Sequence, residues 1–149
     1  MSSKQSQNGT VEAKRIHQFL ASQKFGSLGT VNADGDPCVT VVFYTIDDQF
    51  NITFKTKSQT KLCKNLNHND HVMFLVYDVP SQTTTQIAGT IQRVNVEDQT
   101  NPKPESSGFQ TPISKLKAGE LVSCKLQPAS INMKVYSGDE AETLNLSFD

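Results

Sequence analysis

FGSLGTVNADGDPCVTVVFYTIDDQFNITFKT, residues 25–56, contains three segments that are rich in β-branched and aromatic side chains. The segments are SLGTVN, PCVTVVFYTI and FNITFK, and such residues favour the pleated, half-buried surface of a β-sheet. ADGD separates the first two segments and DDQ precedes the third, and both have the composition of tight turns. The sequence therefore predicts a three-stranded antiparallel meander in this region.

One helix is predicted on each side of this meander. Thr10 has the side chain of a helix N-cap and precedes an apolar-periodic segment over residues 11–23. A second, shorter helix is predicted over residues 61–67, where leucines recur one turn apart. Ser58 or Thr60 would cap this second helix.

Further strands are predicted in the second half of the chain. HVMFLVYD, residues 71–78, is continuously apolar, which predicts a strand buried on both faces. TTTQIAGTIQRVNVE alternates, and Gly89 within it predicts a bulge or a sharp bend. ELVSCKLQPASINMKVYS predicts two strand segments around Pro128, and a short helix is predicted near residues 113–118.

The predicted fold class is mainly β (α+β), with six to seven antiparallel strands, one N-terminal helix and one or two short helices. Closure of such a sheet into a small barrel removes its exposed edges. The length predicts one domain over residues 1–149. Residues 98–112, rich in Pro, Ser and Gly, predict a long loop. Residues 1–9 and about 140–149 are predicted to be flexible.

The charge balance argues against a general attraction to polyanions. Fourteen Lys and Arg oppose 15 Asp and Glu, so neither nucleic acid nor a membrane is predicted as a partner. No segment has the length of a membrane span, and the first ten residues lack the apolar run of a signal peptide. Three widely spaced cysteines without a CxxC pair predict reduced thiols and a cytoplasmic location.

A basic segment rich in hydroxyl groups follows the meander. FKTKSQTKLCKNL, residues 54–66, contains four lysines and no carboxylate. The N-terminus of a helix attracts phosphate through its backbone N–H groups and its dipole. Thr56, Ser58 and Thr60 would add hydrogen-bond donors, and Lys61 a point charge. This pattern favours a site for one phosphomonoester; the alternative is a solvated lysine-rich turn with a capping hydroxyl.

Other combinations of reactive residues are weaker signals. HNDH, residues 68–71, contains two histidines and a carboxylate, but a helix is predicted to end and a strand to begin there. Surface histidines are therefore favoured over a metal site. The sequence contains no GxGxxG, Walker, HExxH or GxSxG motif.

Taken in chain order, residues 15–96 resemble the flavin-binding split-barrel proteins related to pyridoxamine 5'-phosphate oxidase. The resemblance rests on DGDPCV, VTVVFY, T-x-S-x-T-K, KNL, the apolar strand over 71–78 and IAGTIQRV. It implies a six- to seven-stranded antiparallel split β-barrel that binds FMN. It also implies a homodimer with flavin at the subunit interface, and a small-molecule substrate or electron donor as a further partner.

The resemblance also implies which residues contact the cofactor. In this family the FMN phosphate lies at the hydroxyl-and-lysine turn, which corresponds here to Thr56, Ser58, Thr60 and Lys61. The preceding strand lies along the isoalloxazine ring and offers backbone groups to its polar edge. The corresponding residues are Thr40, Val41, Val42 and Phe43. No catalytic side chain is identified.

Several departures separate this chain from the authentic oxidase. Thr40 stands where the oxidase resemblance requires an arginine, and Val135-Tyr136 stands where a Phe-Trp pair is expected. No histidine follows His71, so the C-terminal segment that holds the substrate phosphate in the oxidase lacks its counterpart. The expected function is therefore that of an FMN-dependent oxidoreductase of unknown substrate, not the oxidation of pyridoxamine phosphate.

Two alternatives keep the same fold. A non-catalytic flavin-binding carrier or stress-related module would use the same cofactor site. An F420- or haem-binding relative would change the ligand, and His68 or His71 would be the candidate haem ligand.

Overall fold

The computed structural model describes residues 10–57, 60–93 and 121–148. Two helices are present in these ranges, α1 (Val11–Ser22) and α2 (Lys61–His68). Eight strands accompany them: β1 (Phe25–Val31), β2 (Pro37–Phe43), β3 (Thr45–Ile46), β4 (Ile52–Lys57), β5 (His71–Asp78), β6 (Thr83–Arg93), β7 (Leu121–Ser137) and β8 (Glu140–Ser147).

The strands form one antiparallel sheet in the order β2-β1-β5-β6-β7-β4-β3, and β8 pairs with β7. The sheet curls so that β2 approaches β4, yet no ladder joins these two strands among the described residues. The barrel is therefore split along the line between β2 and β4. The predicted fold class, an antiparallel split barrel with few helices, is confirmed.

The predicted meander is correct for its first two strands, but its third strand pairs with the second predicted segment only at the last two residues of that segment, Thr45 and Ile46. β1 pairs with β2 over its whole length, from Phe25↔Phe43 to Val31↔Pro37. β4 pairs with β7 along its whole length, and its only ladder with the preceding chain among the described residues is the two-residue one with β3. The chain therefore crosses from one end of the sheet to the other between β2 and β4.

Both helices begin where their capping residues predict. The Thr10 hydroxyl accepts a hydrogen bond from Ala13 N at 3.0 Å, and the Thr60 hydroxyl accepts one from Cys63 N at 3.1 Å. Such caps satisfy backbone donors that have no partner within the helix. α1 packs on β8 and β3, and α2 packs on β1 and β4.

The bulge predicted at Gly89 is present. The β6–β7 register shifts between Ala88 and Gly89, because Gly89 pairs with Pro128 while Ala88 pairs with Ser130. Ala129 is thus the extra residue on β7. β7 nevertheless runs continuously from Leu121 to Ser137, so the two segments predicted around Pro128 form one bent strand.

β5 is buried on one face only, contrary to the prediction of burial on both. Val72, Phe74 and Val76 point into the core and are at most 6% exposed. Met73 and Tyr77, on the opposite face, are 47% and 53% exposed. The core of this chain therefore does not explain why the outer face of β5 is apolar.

The tail predicted to be flexible from about residue 140 forms strand β8 instead. Leu144 and Leu146 are buried against the core, and β8 pairs with the second half of β7. Arg15 of α1 adds two hydrogen bonds to the Glu142 carboxylate, at 2.7 and 3.0 Å, and these lower the pKa of Glu142. The other predicted segments, at 1–9, 98–112 and 113–118, lie outside the described residues.

Candidate functional site

A wide cleft of about 1210 Å³ lies between β2 and β4, where the barrel is split. β3 joins the two walls at one end, since Thr45 pairs with Thr53 and Ile46 with Ile52. Beyond this closed end, the facing edges of β2 and β4 have no strand partner among the described residues. Backbone N–H and C=O groups of alternate residues on such edges are available to a ligand.

The N-terminus of α2 forms the open end of the cleft, where Thr56, Thr60 and Lys61 lie together. Thr56 is 9% exposed and its hydroxyl lies 2.9 Å from that of Thr60. Lys61 and Leu62 are the first residues of the helix, so their backbone N–H groups have no acceptor within it. This corner combines amides, hydroxyls, a helix dipole and an ammonium group, as an anion site requires.

The hydrogen bonds at this corner determine which threonine hydroxyl is the donor to the other. Thr60 donates its proton to Lys57 O at 2.9 Å and accepts from Cys63 N. Because a hydroxyl has one proton, the contact between the two threonines must be a hydrogen bond from Thr56 to Thr60. Thr60 is therefore committed to the cap, and Thr56 is the hydroxyl that can rotate toward a ligand without loosening the helix.

Tyr44 forms part of the cleft wall beside α1. Its hydroxyl donates to Leu20 O at 2.5 Å, and its ring meets Phe74 edge-on at a centroid distance of 5.2 Å. Burial raises the pKa of Tyr44 well above its ordinary value. The phenol is thus neutral near pH 7 and positioned as part of the scaffold.

The cleft brings together all the predicted site residues that the structure describes. Those on the β2 side and those at the start of α2 are separated in sequence but line the same cavity; they are Thr40, Val41, Val42, Phe43, Thr56, Thr60 and Lys61. Ser58 lies outside the described residues. Whether these residues hold a cofactor stays a prediction.

Some residues of the cleft were missed by the sequence analysis. Lys24 lines it, although a single lysine before a strand gives no local signal. Tyr44 was missed because its role depends on the packing of α1 against the sheet. His68 and His71 are exposed and do not line the cleft. Among the described residues, no group of three or more His, Cys, Asp or Glu could hold a metal ion.

An apolar face continues outward from the cleft across β2, β1 and β5. Val41, Ser27 and Leu75 form one row across these strands, and Val39, Gly29 and Met73 form the next. The larger side chains of this apolar face are strongly exposed: Val39, Val41, Phe43, Phe25, Met73, Leu75 and Tyr77.

The apolar face ends at β6. Gln86 lies opposite Leu75, and Thr84 lies opposite Tyr77. A bounded apolar patch with a polar rim is the anatomy of a protein–protein interface, and monomeric proteins seldom expose such patches.

The sequence matches the family model described as pyridoxamine 5'-phosphate oxidase over residues 13–111. This match covers more than half of the chain, so the protein belongs to the pyridoxamine 5'-phosphate oxidase-related family. Nothing in the comparison identifies it as the authentic oxidase.

One curated relative is the 5a,11a-dehydrotetracycline/5a,11a-dehydrooxytetracycline reductase of Streptomyces rimosus. It is 35% identical over 65 residues, which are 42% of this chain and 46% of the relative. The match thus spans about half of the reductase's length.

Solved structures share the fold at low sequence identity. A protein related to general stress protein 26, from Clostridium acetobutylicum, has a TM-score of 0.70 at 14% identity, with 91% of this chain and 96% of that chain covered. An FMN-binding protein from Nostoc punctiforme, related to pyridoxamine 5'-phosphate oxidase, has a TM-score of 0.63 at 10% identity, with 97% and 96% covered.

Other structural neighbours bind different cofactors. A haem-binding protein from Mycobacterium smegmatis has a TM-score of 0.67 at 14% identity, with 90% of this chain and 57% of that chain covered. An F420 reductase has a TM-score of 0.56 at 18% identity, with 72% and 88% covered. Neither helix that the structure describes is long and apolar enough to span a membrane.

Proposed function

We propose that this protein binds FMN in the cleft between β2 and β4 and acts as a flavin-dependent oxidoreductase. The observation that carries the proposal is the common location of two predicted groups of residues. The strand over residues 40–43 and the corner formed by Thr56, Thr60 and Lys61 line one cavity, although the chain crosses the sheet between them. A ligand with a flat polar ring and a terminal phosphate fits this arrangement.

The open edge of β2 is suited to the ring. Backbone donors and acceptors on an unpaired strand are held rigidly by the sheet and do not need side chains to reach the ligand. The corner at the start of α2 is suited to the phosphate, which would receive backbone N–H groups of the first turn, the Thr56 hydroxyl and the Lys61 ammonium. FMN, once bound, would supply the hydride or electron chemistry.

The residues around the ring position have no evident acid–base role of their own. Among the described residues, no carboxylate, histidine or cysteine lines the cleft. Tyr44 is neutral near pH 7 and donates its proton to the backbone of α1. The chain would therefore bind and orient the cofactor and exclude water, while protons would come from solvent or substrate. No catalytic side chain is assigned.

FMN is favoured over haem. A haem site needs an axial ligand such as histidine, cysteine or tyrosine. His68 and His71 are exposed outside the cleft, and the Tyr44 hydroxyl is engaged with Leu20 O. F420 remains the alternative cofactor, since a structural neighbour is an F420 reductase and F420 also has a flat ring and a phosphate.

A homodimer with flavin at the subunit interface is the proposed assembly. The apolar face is continuous with the cleft, because Val41 and Phe43 belong to both. A second copy on this face would cover the exposed side of β5 and complete the wall of the cleft. The apolar character of β5 on both faces then has one explanation, a core on one side and a partner on the other. The cytoplasmic location stays a prediction.

Replacing Lys61 with alanine is expected to weaken FMN binding about tenfold or more, because one charge-assisted contact to the phosphate is lost. Lys57→Ala is the matched control, since Lys57 lines the same cleft but precedes the capped corner. Affinities are measured by flavin fluorescence titration, with riboflavin as a ligand that lacks the phosphate. Equal effects of the two substitutions on FMN, or an equal loss of riboflavin binding in Lys61→Ala, would refute the phosphate assignment.

A carrier and an oxidoreductase differ in what the loaded protein does. For an oxidoreductase, anaerobic addition of NADPH or NADH is expected to bleach the flavin absorption of the loaded protein faster than that of free FMN, and air restores it. A carrier would protect the flavin, so the flavin absorption of the loaded protein would bleach no faster than that of free FMN. The named activity of the Streptomyces relative favours the first outcome.

A further inference from the structure

The cleft has a strong excess of positive charge in a chain whose net charge is −1. Its charged lining residues are Lys24, Lys55, Lys57 and Lys61, and no Asp or Glu lines it among the described residues. None of these lysines is paired with a carboxylate in the part of the chain that the structure describes. One phosphate at the start of α2 accounts for Lys61 but leaves the other charges without a ligand.

Edge protection explains part of this excess. Lysines on an unpaired strand edge prevent edge-to-edge association with other chains, and Lys55 and Lys57 lie on the open part of β4. Lys24 has no such reason to be basic, because it precedes β1, which has a partner on each side. Its backbone is held beside Tyr44, since Tyr44 N donates to Lys24 O at 3.1 Å, and its side chain is exposed and lines the cleft.

Lys24 and Lys61 lie toward opposite ends of the cleft. Tyr44, bonded to Lys24, directly precedes the β3 residues that join β4 at Thr53, which is the closed end. Lys61 follows the other end of β4, beyond Lys57. From Thr53 to Lys57 the strand covers roughly 13 Å at about 3.3 Å per residue. Two anionic groups at these ends would be too far apart to share one set of ligands.

We propose that the part of the cleft next to its closed end, bounded by Lys24 and by Lys55, two residues beyond Thr53 on the opposite wall, is a second anion subsite. It would receive a phosphate or carboxylate of the molecule that exchanges electrons with the flavin, so the co-substrate is an organic anion. This inference rests on the proposed function for the identity of the first site, although the second subsite is defined by its own residues. Gln23, which also lines this end, supplies an uncharged donor.

Isothermal titration with inorganic pyrophosphate tests this proposal on the full chain. Flavin-free protein is expected to show two sites, of which Lys24→Ala weakens one about tenfold and Lys61→Ala weakens the other. FMN-loaded protein is expected to keep only the site that depends on Lys24. Lys64→Ala is the matched control, because Lys64 is exposed on α2 but does not line the cleft.

The outcomes separate this inference from the proposed function. If FMN binds and pyrophosphate then shows no site, or if Lys24→Ala and Lys64→Ala have equal effects, the second subsite is refuted while the flavin site stands. If FMN does not bind but the two pyrophosphate sites respond separately to Lys24→Ala and Lys61→Ala, the second subsite stands and the flavin assignment is lost.

Discussion

Replacing Gly89 with alanine is expected to destabilise the protein by about 3 kcal/mol or more, among the largest effects of a single methyl group. A Cβ at this position would lie 2.2 Å from Gln127 O and 2.9 Å from Leu126 Cδ2. The backbone of β7 cannot retreat easily, because β7 is paired along this stretch and bulged at Ala129. Glycine is needed here for space, not for a left-handed backbone conformation.

Gly29→Ala is the matched control for this prediction. Gly29 also lies inside a paired strand, but a Cβ there would meet Met73 O at 3.6 Å, an ordinary van der Waals distance. Thermal unfolding is expected to show a Tm lower by about 10 °C for Gly89→Ala and a change of a few degrees at most for Gly29→Ala. Measurement at several protein concentrations separates intrinsic stability from any contribution of association. Equal Tm values for the two variants would contradict the prediction, because they would show that β7 moves away from residue 89 at little cost in stability.

Signals confined to neighbouring residues predicted local structure well. A capping hydroxyl at Ser58 or Thr60, followed by leucines one turn apart, predicted the start of α2, and Gly89 in an alternating segment predicted the bulge. Each of these features is decided by contacts within a few residues or across one strand pair. The same local pattern identified Thr56 and Lys61 as neighbours in a possible anion site, and the structure places both in the cleft.

Features that depend on distant parts of the chain were predicted less well. The pairing of β4 with β7 instead of β2 is set by the closure of the sheet, which the composition of these strands does not encode. Lys24 lies beside the cleft because its backbone pairs with Tyr44, and no sequence pattern predicts this pairing. The β8 strand did carry a signal, since Leu144 and Leu146 are two residues apart as one face of a strand requires.

The outer face of β5 shows a different kind of limit. A continuous apolar run indicates that both faces of a strand are shielded from water, but it does not indicate what covers each face. In one chain the core covers Val72, Phe74 and Val76 alone. The prediction of burial on both faces was therefore wrong for the monomer, and it is consistent with the proposed dimer.

Introducing a charge at Leu75 is expected to convert the proposed dimer into a monomer. Leu75 lies in the middle of the apolar face, in the row formed with Ser27 and Val41. In a two-fold interface each copy would contribute one Glu, so Leu75→Glu would bury two carboxylates without partners. We expect the dimer dissociation constant to rise at least about 100-fold, equivalent to roughly 2.8 kcal/mol.

Gln86→Glu is the control that makes this prediction specific. Gln86 lies directly opposite Leu75 on β6 and is exposed, so the same charge is added one strand away, beyond the edge of the apolar face. Sedimentation velocity at micromolar concentration is expected to show a monomer for Leu75→Glu and a dimer for Gln86→Glu, with unchanged circular dichroism in both. FMN affinity should fall with the dimer in Leu75→Glu, because the second copy completes the cleft. A Leu75→Glu protein that remains as dimeric as Gln86→Glu would show that the partner binds elsewhere, and that the exposed side of β5 serves another contact.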